Sequence, residues 1–168
     1  MDQDKSKNVN AAKHLARLVA VQALYQDSYE QDPLDVIVKR MMDAPSSFLN
    51  EEDEDEQSDI IQQKPDSELL IAITKGVTEN REALTELLKG GLDARFSSER
   101  MEVLLRHILL AGAYELHHHS DIDAKIIISD YIDVAHAFYS AKEPALVNAV
   151  LDKLSKTLRA CHPALDAG

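Results

Sequence analysis

A single cysteine, Cys161, is present among the 168 residues, so the fold cannot rest on intramolecular disulfides. A chain without disulfides is typical of a reducing compartment, and we expect a cytoplasmic location. Glycine and proline are scarce, with five of each, and tryptophan is absent. So few turn-forming residues disfavour an all-β or loop-rich protein, whereas the many Leu, Ala, Glu and Lys residues favour helix. The composition therefore predicts an all-α fold.

Long apolar runs and nucleotide-binding signatures are also missing. No apolar run reaches the length of about 18 residues that a membrane-spanning helix needs. The polar N-terminal sequence MDQDKSKNVN does not have the character of a signal peptide. The chain contains neither a Gly-rich phosphate loop nor a dinucleotide-binding fingerprint. We therefore expect no membrane association and no cofactor.

The net charge of −12 at first disfavours a nucleic-acid partner, but the charge is unevenly distributed. The segment EEDEDEQSD at residues 51–59 carries seven acidic groups, which leaves −5 for the rest of the chain. Residues 1–25 instead carry +2, from four Lys or Arg residues and two Asp residues. Because charges act over a Debye length of roughly 8–10 Å, a small basic patch can persist on an acidic protein.

Apolar residues recur with helical spacing along most of the chain. Asp66 and Asp123 are predicted N-caps, and Gly112 is predicted to let another helix approach closely. Residues 1–9 are expected to be disordered, and residues 44–65 are expected to form an acidic, flexible loop that cannot pack. The predicted helices cover approximately residues 10–28, 33–44, 66–89, 97–116, 123–138 and 144–160.

Three consecutive histidines, His117, His118 and His119, precede two aspartates in the sequence YELHHHSDIDAKIII. Zinc ligands converge from separated positions, and three adjacent side chains at a helix end cannot all reach one ion. Histidines at a helix C-terminus also interact favourably with the negative end of the helix dipole. We therefore interpret the cluster as a polar joint between two helices, and no metal site is expected.

Residues suited to catalysis do not form a recognisable arrangement. Cys161 lies beside His162, but no further residues of a nucleophilic site are evident around them. Asp130 and Asp133 are three residues apart on one predicted helix face, which we interpret as a solvated surface. The residues therefore indicate no enzyme.

The only concentration of positive charge lies near the N-terminus, where Lys5 and Lys7 precede Lys13 and Arg17. Lys13, His14 and Arg17 share one face of the predicted first helix. A helix with cations on one face can lie along a phosphate backbone. Many surface helices carry two cations, so a merely solvated helix is the alternative.

The chain also contains four motifs in a familiar order: ARLVAVQALYQ (16–26), GAYEL (112–116), DYIDVAHAFY (130–139) and EPALVNAVLDKL (143–154). In these motifs it resembles the NusB family of bacterial transcription antitermination factors, over residues 11–159. The resemblance implies a single RNA-binding domain across residues 1–168. It implies an all-α fold of two small helical bundles packed together, with about six to seven helices and no enzymatic activity.

The resemblance also implies macromolecular partners. Members of the family bind the single-stranded boxA element of RNA leaders as a heterodimer with NusE, a small-subunit ribosomal protein. The assembly joins the RNA polymerase antitermination complex and promotes read-through of terminators in ribosomal RNA operons. Some members instead self-associate through the partner's surface, so a homodimer is the alternative assembly.

The resemblance places RNA contacts on the first helix and on the C-terminal motifs, and a partner contact on Tyr25. An aromatic side chain in the C-terminal region would stack on an unpaired base. Tyr25 would serve as a partly exposed anchor for the NusE-type protein, whereas a buried core tyrosine is the alternative. The residues implied in RNA binding are Lys13, Arg17, Phe138, Tyr139, Lys142 and Asn148.

Three positions depart from the family pattern: Ala149 replaces a glycine, Leu146 replaces a common phenylalanine, and Leu110 replaces an arginine. The loss of a cation and an aromatic ring predicts weaker RNA binding or a greater dependence on the partner. The same fold occurs at the N-terminus of a ribosomal RNA cytosine methyltransferase, but that enzyme needs a second domain for which 168 residues leave no room. A helical protein–protein adaptor without RNA contact is the alternative function.

Overall fold

The structure is a computed structural model and describes residues 2–43, 64–92, 101–140 and 142–159. The predicted acidic loop at 44–65 lies outside these ranges except for residues 64 and 65, which are not helical. Cys161 and His162 also lie outside the described residues.

Every regular element in the described ranges is an α-helix, which confirms the prediction of an all-α fold. None of these helices is long and apolar enough to cross a membrane. The helices are α1 (Asp2–Asp27), α2 (Leu34–Asp43), α3 (Ser67–Glu79), α4 (Arg81–Gly91), α5 (Val103–His118), α6 (Ala124–His136) and α7 (Lys142–Arg159).

Helix α1 begins at Asp2, so the prediction of disorder near the N-terminus is wrong for residues 2–9. The side chains from Lys5 to Asn10 are exposed, and burial therefore does not hold this segment in place. The buried part of α1 between Ala16 and Leu24 fixes a helical nucleus. Extending an existing helix adds one hydrogen bond for each residue fixed, which is far easier than nucleating a new one.

The long helix predicted over residues 66–89 is divided into α3 and α4 at Asn80. The Asn80 side-chain amide donates a hydrogen bond to the Gly76 carbonyl at 2.8 Å, an example of an asparagine side chain competing with regular helix geometry. The next helix begins at Val103, after the extended backbone of Glu102, whereas the predicted start at Ser97 or Ser98 lies outside the described residues.

The N-caps predicted at Asp66 and Asp123 are confirmed. The Asp66 carboxylate accepts a hydrogen bond from the Leu69 amide at 3.2 Å, and the Asp123 carboxylate accepts one from the Lys125 amide at 2.9 Å. Each bond satisfies an amide at a helix start that has no partner within the helix. The caps fix where α3 and α6 begin.

The chain divides into two compact units, Met1–Thr74 and Lys75–Gly168, and the division falls within α3. In the first unit α1 packs against α2. The Asp66 amide donates to the Ala12 carbonyl at 3.0 Å, which joins α1 to the residue that caps α3. The buried apolar residues of this unit are Ala16, Val19, Ala20, Val21, Ala23, Leu24, Ile37, Val38, Met41, Leu70 and Ile73.

Helix α5 is central to the second unit, where it contacts α4, α6 and α7. Buried residues occur on all of its sides, a pattern typical of a core helix. A Cβ atom on Gly112 would lie 2.7 Å from Cδ1 of Leu151 on α7. The close helix approach predicted for Gly112 is therefore confirmed, because an added Cβ would force the Leu151 side chain to move.

A second glycine, Gly76, is buried beneath the ring of Tyr114 on α5. A Cβ atom at this position would overlap the outer end of that ring. On α5 itself, the Tyr114 ring stacks on His118 with the centroids 4.6 Å apart. Gly76 therefore leaves the space that the Tyr114 ring occupies.

We expect Gly76→Ala to lower the free energy of unfolding by about 1–3 kcal/mol, because the tyrosine ring must be displaced from its packed position. Urea unfolding followed by circular dichroism measures this change. Gly90→Ala is the matched control, since an added Cβ there meets no atom within 4 Å. That variant should be as stable as the wild type, or more stable by up to about 1 kcal/mol. A Gly76→Ala protein of unchanged stability would contradict the packing argument.

Candidate nucleic-acid and partner surfaces

The first helix presents fewer cations than the sequence predicts. Lys13 is half-buried, whereas Arg17 is only 3% exposed. A step of four residues turns a helix about 40° past a full turn, which here carries Arg17 into the buried side of α1. The expectation that both side chains share an exposed face is therefore wrong. Lys5 and Lys7 are exposed on the N-terminal extension of the same helix.

Tyr25 lies near the end of α1 and is half-buried, so it is neither a fully buried core residue nor a free surface residue. Its ring packs against Tyr29 with the centroids 5.0 Å apart and the planes tilted by 57°. Tyr29 itself is 64% exposed. Arg40 of α2 forms solvent-exposed ion pairs with Glu30 at 2.6 Å and with Asp32 at 3.4 Å, in the turn that follows Tyr29.

The C-terminal candidates lie in the second unit, around the turn between α6 and α7. Helix α6 ends at His136, so the prediction that Phe138 belongs to this helix is wrong, and Phe138 and Tyr139 both lie in the turn that follows. Both rings are half-buried. The amides of these two residues donate to the Ala135 carbonyl at 3.1 and 2.9 Å. Two further candidates, Lys142 and Asn148, are exposed on α7.

The Tyr139 side chain is tied to the start of α5. Its hydroxyl donates a 2.6 Å hydrogen bond to Oε2 of Glu102, which is the N-cap residue of that helix. Burial raises the pKa of the Tyr139 hydroxyl, and the hydrogen bond to Glu102 acts in the same direction. The negative charges of Glu102 and Glu143 raise this pKa further. The hydroxyl therefore stays protonated and can donate throughout the physiological pH range.

The histidine cluster forms the joint between α5 and α6 that the sequence predicts. The His119 amide donates a hydrogen bond to the Glu115 carbonyl at 2.8 Å, and α5 ends there. His118 stacks on Tyr114, and His117 meets His118 edge-on at 4.6 Å. Burial lowers the pKa of His118, and its two histidine neighbours lower it further. Among the described residues, no group of three or more potential ligands is arranged to hold a metal ion.

Beneath this joint lies Glu115, which is fully buried. The Tyr131 hydroxyl of α6 donates to Oε2 of Glu115 at 2.6 Å. Nδ1 of His119 lies 3.1 Å from Oε1 of the same carboxyl group. These contacts satisfy a polar group whose burial without partners would be strongly destabilising.

Arg159, near the end of α7, completes the joint and was not identified from the sequence. Its guanidinium donates to the carbonyls of Leu116, His119, Ser120 and Ile122, at 3.1 to 3.2 Å. These carbonyls belong to the end of α5 and the turn after it, where no further helical amide can pair with them. Because 37 to 43 residues separate Arg159 from them, no local sequence pattern points to this contact.

Two solved structures share the fold of this chain. The chain superimposes on a T. maritima NusB with a TM-score of 0.66 and 22% identity, covering 86% of this chain and 90% of that one. A crystal structure of antitermination factors NusB and NusE in complex with dsRNA matches with a TM-score of 0.66 and 18% identity, covering 87% and 97%. The fold is therefore that of the NusB proteins.

Sequence comparison identifies the family directly. The NusB family profile matches residues 14–156. The transcription antitermination protein NusB of Bartonella henselae is 35% identical over 149 residues, covering 86% of this chain and 87% of that protein. The corresponding protein of Novosphingobium aromaticivorans is 35% identical over 148 residues, covering 88% and 95%. The chain belongs to the NusB family.

We expect Arg159→Lys to lower the free energy of unfolding by about 2 kcal/mol, because one ammonium group cannot bond to four carbonyls in the place of a guanidinium. Chemical denaturation measures the loss. Lys156→Ala is a suitable control one turn earlier on α7, since its ion pair with Asp152 is solvent-exposed and should contribute less than about 1 kcal/mol. Equal stability of Arg159→Lys and the wild type would show that the positive charge alone holds the joint.

Proposed function

We propose that the chain is a transcription antitermination factor that binds boxA-type single-stranded RNA together with the NusE ribosomal protein. In this role it promotes read-through of ribosomal RNA operons by RNA polymerase. The observation that carries the proposal is the 35% identity, over most of the chain, to proteins named for transcription antitermination. The matching NusB structure solved with NusE and dsRNA supports both kinds of partner.

The proposed RNA contacts are drawn separately from the two units. In the first unit we retain Lys13, whose charge on α1 suits a phosphate group, and omit Arg17 because it is buried. In the second unit the exposed Lys142 and Asn148 offer a cation and an amide, and Tyr139 offers a ring. Phe138 remains a candidate for stacking because its ring is half-buried in the turn.

The proposed protein contact is Tyr25 with its neighbour Tyr29. Tyrosines are frequent anchors at protein interfaces because they combine a large apolar ring with a polar tip. The two rings already pack against each other, with centroids 5.0 Å apart, so they form one aromatic surface before a partner binds. The alternative is that a second copy of this chain binds the same surface and forms a homodimer. Measuring the mass in solution, with and without the NusE protein, distinguishes the homodimer from the heterodimer.

The proposed role is binding and involves no catalysis. It places the chain in the cytoplasm with the transcription machinery. A helical adaptor without RNA contact is the second candidate. The burial of Arg17 favours the adaptor, because it removes one of the two cations proposed on α1, and the net charge of −12 favours it as well.

Fluorescence anisotropy with a labelled boxA RNA tests the proposal, using the chain alone and the chain with the NusE protein. We expect the heterodimer to bind boxA RNA more tightly than a scrambled RNA, with an affinity that falls as salt rises. A duplex of the same sequence distinguishes recognition of single strands from recognition of double strands. A heterodimer without preference for boxA would leave the adaptor as the better description.

Lys13→Ala should weaken binding of all RNA sequences and flatten the salt dependence by about 0.7 units of slope, the value for one lost single-strand phosphate contact. The matched control is Lys39→Ala, which removes an exposed cation from α2 of the same unit. Tyr139→Ala should instead cost about 1–3 kcal/mol of binding free energy with the salt slope unchanged, because it removes stacking and not charge. Variants that leave affinity and slope unaltered would exclude these residues from the RNA surface.

Tyr25→Asp should weaken binding of the NusE protein by about 2 kcal/mol, because it places a charge where an aromatic anchor is proposed. Isothermal titration calorimetry measures the affinity, and a thermal melt checks that the variant is folded. Ile71→Asp introduces the same charge at an apolar residue that is 51% exposed in the same unit, and it should bind normally. If Tyr25→Asp unfolds while Ile71→Asp stays folded, Tyr25 is a core residue and not a partner contact.

A further inference from the structure

Glu102 occupies the N-cap position of α5 without capping that helix through its own side chain. No amide of α5 donates to its carboxylate. The carboxylate instead accepts from the Tyr139 hydroxyl, 37 residues further along the chain, at 2.6 Å. This distance is typical of a hydrogen bond strengthened by charge on one partner. The side chain of Glu102 thus forms a hydrogen bond with the α6–α7 turn and none with the first turn of α5.

The hydrogen bond to Glu102 fixes the tip of the Tyr139 ring beside the start of α5.

The base of the same residue is fixed as well, because the Tyr139 amide donates to the Ala135 carbonyl at 2.9 Å. A side chain held at its backbone and at its tip has lost most of its rotational freedom before any ligand arrives. Ordering a free side chain at an interface costs about 0.5–1.5 kcal/mol, and a ring that is already ordered avoids this cost on binding.

We infer that Glu102 is a positioning residue for RNA binding, which holds the Tyr139 ring in place to stack on an unpaired base. The inference rests on the proposed function, since it assigns a role within the same RNA surface. The charges around the ring support a contact with a base and not with a phosphate. Glu102 and Glu143 both act on the Tyr139 hydroxyl as negative charges, and they would repel a phosphate group placed there.

Three variants separate positioning from simple charge effects, measured by anisotropy with boxA RNA and the NusE heterodimer. Tyr139→Phe keeps the ring and removes the donor, and Glu102→Ala removes the acceptor. Each should weaken binding by roughly 2- to 10-fold with an unchanged salt slope, the factor that corresponds to the cost of ordering one side chain. The double variant should bind no more weakly than either single variant, because both remove the same hydrogen bond.

Glu102→Gln is the decisive conservative variant, because glutamine still accepts a hydrogen bond but carries no charge. It should bind RNA at least as well as the wild type, whereas Glu102→Ala should not. Glu82→Ala, at an exposed glutamate of α4 in the same unit, controls for the change in net charge. Thermal melts of each variant confirm that the unit remains folded.

Four results overturn the inference. Tyr139→Phe with wild-type affinity would show that the hydrogen bond does not matter. Tighter binding by both Glu102 variants would show that Glu102 acts only by repulsion. Losses that add in the double variant would show that the two residues act independently. If the wild-type heterodimer binds no RNA, the proposed function fails and the inference fails with it.

Discussion

The buried carboxyl group of Glu115 is the constraint on which the arrangement of the second unit depends. A carboxyl group with no exposure must find hydrogen-bond partners within the protein, and Glu115 has them in Tyr131 and His119. Satisfying it fixes α6 against α5 and sets the conformation of the turn between them. At the opposite end of α5, Glu102 and Tyr139 make a second glutamate–tyrosine bond of the same length, 2.6 Å. The residue before α5 is therefore tied to the turn after α6, and the C-terminal part of α5 is tied to α6 itself.

Much of this architecture follows from local sequence, because its causes are local. The caps at Asp66 and Asp123 join residues two or three positions apart, and the close approach at Gly112 was foreseen because glycine itself has no side chain. The break at Asn80 was missed because a helical apolar stripe continues across it. The helical start of α1 was missed because polar composition was taken for disorder, although a stable helix extends readily into a polar segment.

The candidate sites were predictable only in part. The resemblance of the motifs identified the family, which the 35% identity to curated NusB proteins confirms. Spacing placed Lys13 and Arg17 on one face, but a rotation of about 40° is enough to bury one of two such neighbours. The contacts of Arg159 and of Glu102 join residues some 40 positions apart. No pattern in a single sequence signals a pairing over that distance, because it depends on how the helices pack.

The hydrogen bonds of Arg159 to the end of α5 and the following turn also have a consequence for the order of events during protein synthesis. The carbonyls that Arg159 binds emerge from the ribosome 40 residues earlier, at His119 and its neighbours. At a translation rate of roughly 5–20 residues per second, Arg159 is synthesised about 2–8 s after the carbonyls to which it donates. The packing of α5 against α6 and the bond between Glu115 and Tyr131 involve only residues made before α7, whereas the hydrogen bonds of Arg159 need α7 itself.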